Sequence, residues 1–92
     1  MADKRDLDQV MADIDAIDQE IQALISRRAK CAQRVADIKL AELQAAQERG
    51  ESGDEVVYYR PEREAQVLKR IMERNPGPLV GETVAHIFRE IM

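Results

Sequence analysis

Arg28 stands where a hydrocarbon side chain is due. Leu7, Val10, Ile14, Ile17, Ile21, Leu24, Cys31, Val35 and Ile38 recur every three or four residues, and position 28 falls between Leu24 and Cys31. Lys39 follows eleven residues after Arg28. Eleven helical steps of about 100° leave an offset of only about 20°, so the two cations share one face about three turns apart. Farther along, Arg63 stands one turn before Val67 and Glu64 one turn before Leu68, where the apolar face of a second helix opens. If that helix packs on the first, Arg28, Lys39, Arg63 and Glu64 converge on one half-buried volume. Isolated cations in such a place are costly unless they are paired. A small polyanion would supply the missing charge. So would a carboxylate from a second copy of the chain, and a guanidinium can also reach water past the seam.

Fixed cations with one carboxylate suit an anionic substrate held in a single shape, with charge stabilised as it develops. Other chemistries lack their parts in this sequence. There is no cysteine–histidine cluster for a metal, no glycine-rich phosphate loop, and no set of nucleophile, base and orienting residue. The one histidine, His86, lies beside Ile87 on a polar face without an evident partner for acid–base work. We therefore expect neither a metal nor a cofactor.

The elements that must position these residues are helices. From Asp6 to Arg49 there is no proline or glycine, and good helix formers dominate. The apolar stripe keeps a helical period throughout, which gives one helix of roughly 40 residues, about 60 Å long. Beyond Ile38 the stripe weakens, and LAELQAAQERG is expected to fray or project into solvent. GESGDE is a loop. A second helix begins near YRPERE, with Pro61 at its first position and Glu62 and Glu64 at its positive end. Its buried face is expected to be Val67, Leu68, Ile71 and Met72. The NPGP segment ends it. A third helix runs from about Val80 to the end, with Val80, Val84, Ile87, Phe88 and Ile91 as its stripe.

The predicted fold is all-α: three helices per chain, the N-terminal one very long. Two short helices cannot cover a 60 Å stripe, and uncovered apolar surface of that size normally meets a partner. The expected answer is a homodimer in which the long helices pair. The 92 residues suit one domain. Hydrophobic residues make up 45% and charged residues 35%, a helix-like balance; aromatics are 3%, so the core must be aliphatic. The net charge of −4 argues against nucleic acid as a partner. No apolar run approaches a membrane span of about 20 residues, and the N-terminus has no apolar signal core. The lone cysteine, Cys31, fits a reducing cytoplasm and reads as a small core residue.

With these residues in hand, the chain resembles a known family. IDAIDQEIQALISRRAKCAQRVADIK, then the loop, then YRPEREAQVLKRIMERN look like the all-helical class of chorismate mutases. The RPERE segment and the ending GPLVGETVAHIFREIM look most like the N-terminal domain of bacterial bifunctional chorismate mutase–prephenate dehydratases. The likeness runs from about Leu7 to Met92. Asp15 and Asp18 of the IDxxD segment, Arg28, Lys39 and the Arg63–Glu64 pair occur in family order and at family spacing.

The resemblance implies an intertwined dimer with two active sites that convert chorismate to prephenate in aromatic amino-acid, and specifically phenylalanine, biosynthesis. It implies that Arg28 binds a substrate carboxylate and that Lys39 binds the other carboxylate and the ether oxygen. Glu64 accepts a hydrogen bond from the ring hydroxyl. Arg63 supports or lines the site, and Arg60 belongs with the substrate-binding set. Two features depart from the family pattern. Relatives carry an arginine where this chain has Met11, and neither Lys4 nor Arg5 matches its place. Relatives also place a hydroxyl residue and then an amide or acid farther along the third helix, beyond Met92. We therefore expect the 92 residues to be a mutase domain cut within that helix, with room for a prephenate dehydratase domain after it. Two other readings follow from the same fold: a non-catalytic helical dimerisation module, and a lyase that cleaves pyruvate from isochorismate.

Overall fold

The computed structural model describes residues 4–50 and 61–92. Among them the elements are three helices: α1 at Lys4–Glu48, α2 at Pro61–Arg74 and α3 at Gly81–Ile91. They fall into two compact units, Met1–Leu40 and Ala41–Met92.

The first unit is α1 as far as Leu40. Nothing in its sequence interrupts a helix, and Asp6 sits in the first turn, where the helix dipole favours an acid. Gln9 donates from Nε2 to Asp13 Oδ1, one turn on, at 2.9 Å. The whole apolar stripe lies exposed in the single chain, from Leu7 at 61% to Ile38 at 54%. Cys31 is exposed with it, which corrects its reading as a core residue. The stripe it belongs to keeps its helical spacing along the first unit.

The second unit combines the last turns of α1 with α2 and α3, and its buried apolar residues are Ala46, Ile71 and Ala85. This corrects the expectation of a frayed end to α1. The helix runs on to Glu48, with Leu43 and Ala45 half-buried around Ala46. Small side chains let that end sit within the unit, although they carry little hydrophobic signal. The helix stops where Gly50 takes a φ of +77° and donates its N–H to the Gln47 carbonyl at 3.0 Å, a glycine-based C-cap.

Pro61 opens α2 as expected, with Glu62 and Glu64 in its first turn and Arg74 in its last. The Arg74 side chain caps the helix end by donating from Nε to the Arg70 carbonyl at 3.2 Å. Asn75 then braces the turn. Its side-chain amide donates to the Leu79 carbonyl at 2.6 Å, and Gly77 turns the chain at a φ of +79°. Val80 is the N-cap of α3 in extended conformation; its carbonyl accepts from the N–H groups of Thr83 and Val84.

On α3 the buried face is Gly81, Val84, Ala85, Phe88 and Ile91, with Ala85 at its centre. Val80 and Ile87, counted on the stripe from sequence, are exposed, and so is Met72 of α2. At the turn the two helices lie close together: a Cβ added to Gly81 would lie 3.5 Å from the Met72 Cβ. Contact through small residues sets the face here, in place of contact through the largest apolar ones.

Candidate functional site

Each unit carries part of the expected site. On α1, Arg28 and Lys39 lie within one unbroken helix, so their eleven-residue spacing holds: about 16 Å along the axis and about 20° around it. Arg28 is exposed in the single chain, and Lys39 is half-buried. Their long side chains can bend toward one volume above the turns between them.

In the second unit, Glu64 is half-buried and Arg63 exposed. Glu64 precedes the buried Ile71 by seven residues, which places it about 20° from the line of that residue. It therefore opens onto the side of α2 that meets α3. There Glu64, Leu68, Arg89 and Met92 line a hollow of about 220 Å³. This is the size of site a small ring compound can enter. It offers an acceptor at Glu64, apolar contact at Leu68 and Met92, and guanidinium donors at Arg89. Arg60, Asp54 and Glu55 lie outside the described residues.

Arg89 is the residue that the periodic reading passed over. It stands next to Phe88, whose place on the stripe drew attention. The signal was the four-residue line Gly81, Ala85, Arg89, in which two small residues mark the close-packed side of α3. His86 is exposed, as its polar position suggested. Among the described residues, no group of three or more His, Cys, Asp or Glu is placed to hold a metal ion. Among them, too, no helix is long and apolar enough to cross a membrane.

A family model of chorismate mutase type II matches residues 10–92. The chain belongs to the type II chorismate mutase family. Its match begins in the first turns of α1 and takes in Arg28, Lys39, Arg63, Glu64 and Arg89. Among characterised proteins, this chain is 51% identical over all 92 residues to a bifunctional chorismate mutase/prephenate dehydratase of Pseudomonas aeruginosa. It is 49% identical over the same length to the protein of that name from Stutzerimonas stutzeri. A third, from Neisseria gonorrhoeae, is 43% identical over 79 residues, or 86% of this chain. The chain spans 23% of the length of the first two relatives. The all-helical fold of the described residues agrees with the family.

Proposed function

We propose that the 92 residues form one mutase domain that rearranges chorismate to prephenate. The observation that carries this reading is the pair Arg28 and Lys39, set on one face of α1 within its apolar seam. Chorismate is a dianion that reacts from a compact, chair-like shape. Cations at two fixed points select that shape, which lowers the entropic part of the barrier. In the rearrangement an ether C–O bond breaks as a C–C bond forms, and no atom is gained or lost. Negative charge builds on the ether oxygen, where the Lys39 ammonium stabilises the transition state more than the ground state. Arg28 holds a carboxylate through its planar fork of donors. Glu64 accepts from the ring hydroxyl, and Arg63 and Arg60 line the site. No step moves a proton, so the scheme needs no histidine and no cofactor.

The working unit in this proposal is a homodimer in the cytoplasm. Dimerisation would cover the α1 stripe, and charge along α1 supports pairing with a second copy laid antiparallel. In the first half of α1, Asp6, Asp8, Asp13, Asp15, Asp18 and Glu20 outweigh Lys4 and Arg5; in the second half, Arg27, Arg28, Lys30, Arg34 and Lys39 outweigh Asp37, Glu42 and Glu48. Antiparallel placement sets each acidic half beside a basic one. By analogy with the names of its relatives, a prephenate dehydratase domain in the same polypeptide is part of the proposal.

The test is to add chorismate to the purified chain and follow loss of its ultraviolet absorbance, with isochorismate run in parallel. Prephenate formation is the expected result. Pyruvate release from isochorismate would move the assignment to the lyase. A folded dimer inert to both substrates would leave a dimerisation module.

A further inference from the structure

Arg89 has no part in the scheme above, yet it faces the same hollow as Glu64. The two come from opposite ends of their helices, Glu64 in the first turn of α2 and Arg89 in the last turn of α3. The α2–α3 packing fixes their separation, through buried Ile71 and Ala85 and through the close approach of Gly81 to Met72. Among the described residues no ion pair joins Glu64 to Arg89. An acceptor and a guanidinium thus stand on either side of a space of about 220 Å³, with Leu68 and Met92 as apolar walls. That arrangement fits a small ring compound bearing both a hydroxyl and a carboxylate.

We infer that Arg89 is a further substrate-binding residue, which holds a carboxylate of the ligand whose hydroxyl is bound by Glu64. The inference rests on the proposed mutase reading and adds to it a cation from α3. Such a contact is made equally to substrate and transition state. It acts on binding more than on the chemical step.

The experiment compares the Arg89→Gln, Arg89→Lys and Lys69→Gln variants with the unsubstituted chain in the chorismate assay. Lys69 is exposed and pairs with Glu73 at 3.8 Å, so its substitution removes the same charge away from the hollow. Charge-assisted hydrogen bonds of this kind lead us to expect about a 10-fold rise in KM for Arg89→Gln, with kcat within about twofold of the parent. Arg89→Lys should recover part of that loss, and Lys69→Gln should leave KM unchanged. Helical content and melting temperature, measured on the same samples, report on folding. Equal KM for Arg89→Gln and parent overturns the inference and leaves the mutase reading intact; Arg89 then only complements the dipole at its helix end. A parallel rise in KM for Lys69→Gln also overturns it, since the effect would be general charge. An unsubstituted chain that does not turn over chorismate removes both readings.

Discussion

Substituting Ile21 by alanine tests whether the long helix is built for a partner. Ile21 sits mid-stripe and is 48% exposed in the single chain. Burying an isoleucine side chain completely is worth about 1.5–3 kcal/mol. About half of that is still available for pairing, roughly 1 kcal/mol per chain. A two-fold dimer uses the position twice, so Ile21→Ala should weaken association by about 2 kcal/mol, or about 30-fold in Kd. Sedimentation over a dilution series reads this directly. Far-ultraviolet circular dichroism on the same samples adds a second readout. Most helical stability in proteins comes from packing of an amphipathic face, so helicity itself should fall on dilution, and earlier for the variant. Gln19, which points away from the stripe, supplies the control: Gln19→Ala should leave both curves in place. A chain that is monomeric and fully helical at every dilution would refute the reasoning, as would an Ile21→Ala variant that dimerises like its parent.

Three further outcomes are expected. Lys39→Ala should cut kcat by about 10²–10³, by analogy with loss of an oxyanion donor, while sedimentation shows an unchanged dimer; retained turnover would remove Lys39 from its proposed role. Arg28→Ala should raise KM and lower kcat while leaving the dimer as tight or tighter, because a cation leaves the seam. A weakened dimer would instead place Arg28 in an ion pair between copies. Gly81→Ala should stabilise the chain by about 0.4–1 kcal/mol in thermal unfolding, because helix-compatible alanine restricts the unfolded state and the new methyl meets Met72 at an ordinary 3.5 Å.

The helices were legible because their punctuation is chemical. An unbroken run without proline or glycine gives α1, Pro61 gives the start of α2, and Asn75–Pro78 gives its end. The packing faces were less legible. Periodicity ranks residues by hydrophobicity, yet Ala46 and Ala85 are buried while Ile87 and Met72 are exposed. Close approach selects small side chains, and a hydropathy pattern hardly registers them. The site divides the same way. Arg28 shows because a cation breaks an apolar stripe, and Lys39 because the spacing returns it to that face. Glu64 shows through its turn relation to Leu68. Arg89 shows only through its place on the line of Gly81 and Ala85, since its significance lies in which helix end stands opposite it, a property of the α2–α3 turn.

The division of the chain at Leu40 also sets the order in which it can fold. Contacts between α2 and α3 span the short turn that Asn75 braces, so the loop-closure cost is small and that hairpin can form within one molecule. In the proposed dimer, the stripe of α1 gains its cover when two molecules meet. Refolding should thus proceed through events of different kinetic order, a first-order step for the hairpin and a second-order step for the long helix. Dilution slows the second and spares the first. In a mixed population, the chain would wait with its C-terminal part folded and its longest helix still to be consolidated by an encounter.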